Sequence, residues 1–464
     1  MNCDVTADGF FVDVAIVGTG VAGLYCALNL PDSLSVALFT KSRAEECDSF
    51  LAQGGICMLK NEADYESYFE DTMRAGHYEN RKESVDIMIR SSPSVISDLI
   101  GYGANFERNA DGSLAFTREG AHSVPRILFH EDVTGREITS HLLSAVKKRK
   151  NVRIFEESTM LDVIFEKNDE CKGVVISTKN PIFREKIKTT SNSGNQFVSV
   201  FAKKTVWACG GIGGLFSHST NYPHLTGDAL ALSIRHNIAL KDIDYIQIHP
   251  TTLYSKKGGR AFLISESVRG EGGVLFGKNG ERFVDELLPR DEVSQAIFLQ
   301  MEKEKRDFVW LSMEKIEKNV ILSHFRHIYE KCLEEGFDCT KEPIPVVPAQ
   351  HYFMGGVDVD LNGKTSVSSL FAVGETACNG VHGKNRLASN SLLESLVFAK
   401  RAAQKINSEI LEEKAVFQKS LPLDFSLYVD ENSFFEKNRS LVLSEIEKAR
   451  KNRIKIEKTE EKNE

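Results

Sequence analysis

The stretch Val12-Asp13-Val14-Ala15-Ile16-Val17-Gly18-Thr19-Gly20-Val21-Ala22-Gly23 lies near the start of the chain and decides the fold. An apolar strand enters a glycine-rich turn, and a helix is predicted over residues 24–30. One glycine allows the tight turn, one lets the backbone approach a pyrophosphate, and one lets helix and strand pack closely. The helix N-terminus directs unpaired N–H groups at the phosphates. The pattern predicts a dinucleotide cofactor and redox chemistry; the alternative is a tight turn in an ordinary α/β unit.

Length and composition narrow the class of protein. The chain has 464 residues, enough for two or three domains. It has 58 basic and 66 acidic residues, a net charge of −8, which argues against nucleic acid as a partner. The nine cysteines contain no C-x-x-C pair, so we expect no metal or iron–sulfur site and a reducing compartment. The first residues lack the basic and apolar regions of a signal peptide, so we expect none, and no apolar run reaches the ~18 residues of a membrane span. We therefore expect a soluble, cytoplasmic protein with no membrane partner.

The order of the predicted elements indicates a main sheet with additions. A second strand is predicted over residues 35–40, but no acid follows it until Glu45, which departs from the NAD pattern. A second G-x-G-x-x-G is also missing, so we do not expect a nicotinamide as the reductant. Residues 62–107 are predicted to be helical, with Pro93 interrupting or opening a helix. Residues 150–207 predict a small antiparallel excursion from the main sheet, with a hairpin tip within 180–197.

The second half of the chain shows a change of composition. His, Arg, Glu and Gly cluster from about residue 238 to residue 345, which we interpret as an inserted unit. A buried strand over 369–373 then runs into Gly374-Glu375, and a helix is predicted from Ser391 to Ile406. The resulting division is 1–237 and 346–410 for the two segments of a nucleotide-binding domain, 238–345 for a capping domain, and 411–464 for a helical C-terminal region.

Several motifs resemble a known family. Four of them, in this order, are similar to the succinate dehydrogenase/fumarate reductase flavoprotein family: AQGGI at 52–56, HPT at 249–251, SESVRGEG at 265–272 and RLASNSLLE at 386–394. Two more resemble the branch of that family that oxidises L-aspartate: TREGAHS at 117–123 and PAQHY at 348–352. The resemblance covers residues from about 10 to about 405. It implies an α/β fold: a Rossmann-like FAD-binding domain in two segments, an inserted α+β capping domain and a short helical C-terminal region.

The resemblance also implies where FAD lies. In the succinate dehydrogenase branch, a histidine five residues before the Gln of AQGG bonds covalently to the flavin. Asp48 stands there in this chain, so FAD is predicted to be non-covalent. Glu375 can accept hydrogen bonds from ribose hydroxyls, and the helix near Ser391 can direct its dipole at the flavin; the alternative for Ser391 is a plain helix cap. The implied FAD contacts are Gly18, Thr19, Gly20, Val21, Ala22, Gly23, Lys41, Asp48, Ser49, Phe50, Leu51, Ala52, Gln53, Gly54, Gly55, Met160, Leu161, Asp228, Glu375, Ser391 and Leu392.

A four-carbon dicarboxylate needs cations and hydrogen-bond donors at both ends. The matching motifs supply His249, Ser265, His351 and Arg386 for this purpose. Arg386 can grip a carboxylate with two hydrogen bonds, and the imidazoles can donate N–H. Ser265 stands where the family usually has Thr and keeps the hydroxyl. The alternative for each histidine is a structural role.

The same resemblance implies the reaction chemistry. Arg290 matches the family's proton donor and acceptor, although a guanidinium normally holds its proton above about pH 12. Glu266 and Arg269 are three residues apart on a predicted helical turn, so we predict a proton path Arg290–Glu266–Arg269; the alternative is a salt-bridged helix start. Glu119 would favour a substrate that carries an ammonium; the alternative is an exposed loop acid.

The implied function is FAD-dependent oxidation of L-aspartate to iminoaspartate. Dioxygen or fumarate would accept the electrons, and the reaction would be the first step of de novo NAD biosynthesis, coupled to quinolinate synthase. Two alternatives stay open: a soluble fumarate reductase or succinate dehydrogenase flavoprotein, and a non-catalytic regulator that binds flavin or dicarboxylate. The sequence leaves open the preferred acceptor, the carbon that gives the hydride, the oligomeric state and the role of the short C-terminal region.

Overall fold

The computed structural model of the chain describes residues 5–6, 9–166, 170–184, 190–257, 259–412 and 424–460. Its largest element is an eight-stranded sheet with a parallel core. Gly9–Val17 pairs in parallel with Val36–Phe39 on one side and Gln196–Trp207 on the other. Val36–Phe39 also pairs with Val152–Phe155, and Gln196–Trp207 with Leu370–Ala372. Parallel strands of this kind are covered on both faces, which explains their nearly continuous apolar sequence. The predicted α/β class is confirmed.

The turn after the first long strand has the geometry that the glycine pattern predicts. Gly18 has a φ of +118°, and a Cβ atom there would collide with the carbonyl of Ala208. The helix that follows, Val21–Asn29, starts earlier than predicted because Val21 and Ala22 already belong to it. A Cβ atom at Gly23 would overlap the carbonyl of Gly18. Gly23 therefore allows the close packing of helix and strand.

The antiparallel strands predicted over 150–207 exist, but they are not an excursion from the main sheet. Ser158–Glu166 and Glu170–Thr178 pair with each other, and the latter pairs with Gln196–Trp207 of the parallel core. Gln196–Trp207 is one continuous strand, although Lys203-Lys204 interrupts its apolar pattern. Lys204 is nevertheless buried, since its Nζ lies 3.1 Å from a carboxylate oxygen of Glu409.

Residues 180–197, within which a hairpin tip was predicted, contain the short helix Pro181–Arg184 and a turn closed by an antiparallel bridge between Thr190 and Gln196, while 185–189 lie outside the described residues.

Pro93 neither interrupts nor opens a helix, and this prediction was wrong. It lies inside Lys82–Gly101, which is one continuous helix of 20 residues. Proline lacks an N–H, so the carbonyl of Ile89 loses its helical donor. The hydroxyl of Ser92 donates to that carbonyl at 2.7 Å and replaces the missing hydrogen bond.

A second, five-stranded sheet lies within residues 246–353, called here the antiparallel unit. Its strands run in the order Phe262–Leu263, Ile246–Leu253, Ile344–Phe353, Val309–Ser312, Val274–Phe276. Three helices pack on it around a core of its own: Arg290–Glu304, Lys318–His324 and Arg326–Glu334. The strand Ile344–Phe353 crosses the predicted boundary between residues 345 and 346. The predicted domain boundaries stay a proposal.

The remaining elements cover the main sheet and connect the two sheets. Val21–Asn29 packs in one apolar cluster with Thr134–Lys148 and Asn390–Glu412. The long helix Glu431–Glu460 is anchored by Arg453, whose Nε lies 2.6 Å from an oxygen of Asp244. No helix in the described ranges combines the length and apolar character that crossing a membrane requires. The other elements are Val5–Thr6, Asp48–Leu51, Ile56–Cys57, Glu62–Asp64, Tyr65–Ala75, Ile127–Leu128, Gly213–Leu215, Asp228–Arg235, Leu240–Lys241, Glu266–Gly270, Gly356–Asp358, Gly374–Thr376, Ala377–Cys378 and Ser426–Tyr428.

Candidate active site

One large cleft begins at the carboxyl end of the first long strand and reaches the antiparallel unit. The empty space between its walls is about 1600 Å³, including the part open to solvent. We call the end at Gly18–Ala22 the glycine end. We call the other, where His249, Arg290 and Arg386 line the wall, the arginine end. A cleft at the carboxyl ends of parallel strands is the usual ligand site of such sheets.

Most of the predicted FAD contacts line this cleft. Three do not: Gly23, Phe50 and Leu161. Gly23 faces the first strand, and Leu161 points away because neighbouring strand residues alternate between faces, so that only Met160 reaches the cleft. Phe50 packs instead against the apolar core next to the first helix. The contacts that do line the wall are Gly18, Thr19, Gly20, Val21, Ala22, Lys41, Asp48, Ser49, Leu51, Ala52, Gln53, Gly54, Gly55, Met160, Asp228, Glu375, Ser391 and Leu392.

The glycine end has the geometry of a pyrophosphate site. The N-terminus of Val21–Asn29 opens onto the cleft, where its N–H groups favour an anion. A Cβ atom at Gly20 would meet only the hydroxyl of Ser49, at 3.2 Å, so the backbone there is open to a ligand. Farther along the wall, Lys41 Nζ and Asp228 Oδ2 form an ion pair at 2.8 Å.

Two carboxyl groups line the middle of the cleft and offer hydrogen-bond acceptors. Asp48 Oδ1 accepts the N–H of Tyr222 at 3.0 Å, while Oδ2 accepts no hydrogen bond from the residues that the structure describes. Glu375 Oε1 accepts the N–H of Phe353 at 2.9 Å. Burial raises the pKa of Asp48 to about 7; burial and the charge of Asp48 raise the pKa of Glu375 to about 8. The unpartnered Oδ2 of Asp48, and Glu375 on the same wall, fit a cofactor rich in hydroxyl groups, as FAD is.

The two histidines lie side by side at the arginine end. Nδ1 of His249 lies 3.1 Å from both the backbone nitrogen and the carbonyl oxygen of Thr251, so it can accept from the one or donate to the other. The buried Nε2 of His249 has no partner in the described part of the chain. Nδ1 of His351 lies 2.8 Å from the hydroxyl of Thr220, and the ring centres are 5.0 Å apart. Burial, and next the charge of Arg290, hold the pKa of both imidazoles well below its usual value. Both rings are therefore neutral.

Arg386 is a buried cation without a counter-charge. Its Nη1 donates to Ser391 Oγ at 2.5 Å and its Nε to Gln247 Oε1 at 3.2 Å, and its guanidinium lies 4.4 Å from the ring centre of Tyr352. Among the residues described, no carboxylate lies within ion-pair distance of Arg386. Burial, and next the charge of Arg290, lower its pKa to about 10. A buried cation in this state favours an anionic ligand.

The three predicted catalytic residues meet at one carboxylate. Arg290 begins the helix Arg290–Glu304, and its Nε donates to Glu266 Oε2. Nη2 of Arg269 lies 3.3 Å from the same oxygen. Burial opposes ionisation of Glu266, but Arg290 and Arg269 outweigh it and lower its pKa. Arg269 lies behind Glu266 and does not line the cleft.

Glu119 lines the arginine end and is only 2% exposed, so it is not an exposed loop acid. Its Oε1 accepts the hydroxyl of Ser267 at 2.9 Å and its Oε2 that of Ser389 at 2.5 Å. Burial, and next the charge of Glu266, raise its pKa. Ser265 caps the helix Glu266–Gly270, because its Oγ accepts the N–H of Ser267 at 3.2 Å. The structure thus brings all five predicted substrate residues to one place.

Sequence reasoning missed four groups at this site. Gln247 Oε1 accepts from both Arg290 Nη1, at 2.9 Å, and Arg386, and so spaces the two guanidinium groups. Strand alternation could have found it, since it precedes His249 by two residues. The other three are Thr220, Ser267 and Ser389, whose partners are remote in sequence and gave no local signal.

The fold and the cleft define a flavoprotein of the fumarate reductase class. The FAD binding domain family matches residues 13–392 of the chain. An E. coli quinol fumarate reductase, in a variant of its FrdA chain, superposes with a TM-score of 0.78 at 28% identity over 94% of this chain and 74% of that one.

Curated relatives narrow the class to one family. The L-aspartate oxidase of Clostridium perfringens is 51% identical over 399 residues, which are 86% of this chain and 87% of the relative. That of Clostridium acetobutylicum is 47% identical over 437 residues, 94% and 96% of the two chains. The chain therefore belongs to the L-aspartate oxidase family. It is an FAD-dependent oxidoreductase, and the resemblance seen in the sequence is confirmed.

Proposed function

We propose that the protein oxidises L-aspartate to iminoaspartate. The observation that carries the proposal is the joint presence, at the arginine end, of an unneutralised Arg386 and the acid Glu119. A four-carbon diacid with an ammonium needs both kinds of group. The names of the curated relatives support the same substrate.

The chain binds and orients the substrate with fixed donors and acceptors. Arg386 grips one carboxylate, and the unpartnered Nε2 of His249, in the tautomer that carries its proton there, donates to the other with help from His351. Ser265 lines the same wall, where its hydroxyl donates to Ser267 Oγ. Glu119 accepts the ammonium, which succinate lacks. Because each of these groups is held by hydrogen bonds to neighbouring residues, little reorganisation is needed when the substrate binds.

Proton removal is the task of Arg290. FAD, when bound, accepts a hydride from a substrate carbon. Arg290 first passes its Nε proton to Glu266, with which it is already hydrogen bonded, and the neutral guanidine then takes a proton from the substrate at the freed nitrogen. Arg290 is cationic again after this second step, Glu266 holds the transferred proton, and Arg269 stabilises the charge of Glu266 before the transfer. The proton must leave Arg290 first because a guanidinium has no acceptor atom.

The wider role follows from this chemistry as a proposal. Dioxygen, giving hydrogen peroxide, or fumarate, giving succinate, would reoxidise a non-covalent FAD. Iminoaspartate would enter de novo NAD biosynthesis through quinolinate synthase in the cytoplasm.

Anaerobic mixing of the purified holoprotein with L-aspartate or with succinate tests the proposal. Loss of the flavin absorbance with L-aspartate alone is the expected result. Loss with succinate alone would favour a soluble fumarate reductase or succinate dehydrogenase flavoprotein. No loss with either substrate would favour a binding protein and contradict the proposal.

A further inference from the structure

The carboxylate of Glu119 is held from two sides by serine hydroxyls. Ser267 lies in the short helix Glu266–Gly270 of the antiparallel unit and donates to Oε1 at 2.9 Å. Ser389 lies just before the helix Asn390–Glu412 and donates to Oε2 at 2.5 Å. Ser267 lies 148 residues from Glu119 in sequence and Ser389 lies 270 residues from it, and all three side chains are buried. The plane of this carboxylate is thus fixed by two separate parts of the chain.

Each serine is oriented by a donor of its own. The hydroxyl of Ser265 donates to Ser267 Oγ at 3.2 Å, and the N–H of Gly55 donates to Ser389 Oγ at 3.2 Å. A hydroxyl has one hydrogen, and in each serine the oxygen already accepts a hydrogen bond. The hydrogen of each is therefore left for Glu119. The direction of both hydrogen bonds is defined by the surrounding structure.

This arrangement leaves room for one more donor group. An ionised carboxylate offers about four acceptor positions, and the serines use two of them. Gly54 lies against the same carboxylate, since a Cβ atom there would meet Oε1 of Glu119. The absence of a side chain at Gly54 keeps this side of the carboxylate accessible from the cleft that both residues line.

The helix Glu266–Gly270 carries residues for both substrate recognition and proton transfer. It carries Ser267, which holds Glu119, and it carries Glu266 and Arg269 of the proton path. A shift of this helix would move the recognition carboxylate and the proton path together.

We propose that Ser267 and Ser389 are positioning residues that fix the Glu119 carboxylate and thereby set the preference for a four-carbon diacid bearing an ammonium over one without it. The inference rests on the proposed function and names residues that determine its specificity. It makes Ser267 the more informative position, because Ser389 itself lines the cofactor cleft whereas Ser267 does not.

The test compares two reactions of the Ser267→Ala holoenzyme: oxidation of L-aspartate, and reduction of fumarate by holoenzyme whose flavin is kept reduced with dithionite. Loss of one hydrogen bond to a charged group predicts a decrease of about tenfold in kcat/KM for L-aspartate, carried mainly by KM. The kcat/KM for fumarate, which has no ammonium, is expected to change less than about twofold. Ser267→Thr keeps the hydroxyl and is expected to restore most of the discrimination.

The matched control is Ser312→Ala in the antiparallel unit. Ser312 is also a buried serine, and its hydroxyl accepts the N–H of Glu314 at 3.2 Å, away from the cleft. It is expected to leave both reactions unchanged. Equal losses in both reactions of Ser267→Ala, or no loss in either, would overturn the inference while leaving the proposed function intact. A wild-type holoenzyme that does not oxidise L-aspartate would contradict both.

Discussion

The two ends of the central cleft are built in opposite ways. The glycine end consists of backbone groups from one contiguous stretch, Gly18–Ala22, and functions because side-chain atoms are missing there. The arginine end consists of buried side chains from separate segments, among them Glu119, His249, Arg290 and Arg386. Adding side-chain atoms at the glycine end should therefore weaken FAD binding. Removing charge or a hydrogen-bonding group at the arginine end should weaken the reaction with the substrate. Each end can be broken without breaking the other.

The largest effect is expected at the arginine end, from Arg290→Leu. Loss of the proton-transferring group should slow flavin reduction by L-aspartate at least about a thousandfold. FAD should stay bound, because the glycine end is untouched. Anaerobic stopped-flow absorbance gives the rate, and the flavin-to-protein absorbance ratio gives the FAD content. Normal reduction would remove Arg290 from the mechanism, and loss of FAD would contradict the independence of the two ends.

Gly18→Ala should break the glycine end. The left-handed φ and the collision with the carbonyl of Ala208 should cost about 3 kcal/mol. If this strain is relieved by distorting the turn, FAD affinity falls about a hundredfold. Fluorescence titration of the FAD-free protein with FAD measures the effect. Gly101→Ala is the control, because nothing lies within 4 Å of a Cβ atom there. Unchanged affinity in Gly18→Ala would show that the tight turn is not required.

The contrast between the ends also explains what the sequence could predict. The glycine end was predictable because its signal is local and depends on spacing and strand–helix order. The site roles assigned to Arg290, Glu266 and Glu119 came from motifs, and they stay predictions although the structure brings these residues together. Ser267 and Thr220 were missed because their partners are far away in sequence. Pro93 was misinterpreted for a different reason: the hydroxyl of the adjacent Ser92 replaces the lost hydrogen bond, and the rule for proline in helices does not include this compensation.

Glu394 is a buried acid that belongs to neither end of the cleft, and it makes the stability of the folded chain depend on pH. Burial raises the pKa of Glu394 to about 7, while Asn379 donates to it. An unfolded glutamate ionises near pH 4.5, so between that pH and about 7 the folded protein binds the extra proton. The free energy of unfolding therefore falls as pH rises through this window.

Glu394→Gln removes the ionisation and should leave the FAD-free protein more stable than wild type above pH 7. The expected gain is between about 2 and 3 kcal/mol at pH 8, with little difference near pH 4.5. Urea unfolding at the two pH values measures it. A gain of equal size at both would mean that packing, and not ionisation, accounts for the change.

Glu119→Gln is expected to give the smallest effect of the four and to act only on the choice of substrate. Replacing an ionised acceptor of the ammonium with an amide predicts a loss of about thirtyfold in kcat/KM for L-aspartate. Fumarate reduction should keep most of its rate. Steady-state kinetics with both substrates decide the matter; a parallel loss in the two reactions would assign Glu119 to structure and not to recognition.

The proposed oxidation of L-aspartate depends most directly on how the substrate lies at the arginine end. A crystal structure of Arg290→Leu holoprotein soaked with L-aspartate would show it without turnover. We expect the ammonium within hydrogen-bond distance of Glu119, one carboxylate on Arg386 and the other near Nε2 of His249. An ammonium that points away from Glu119, or carboxylates that contact neither Arg386 nor the histidines, would contradict the account.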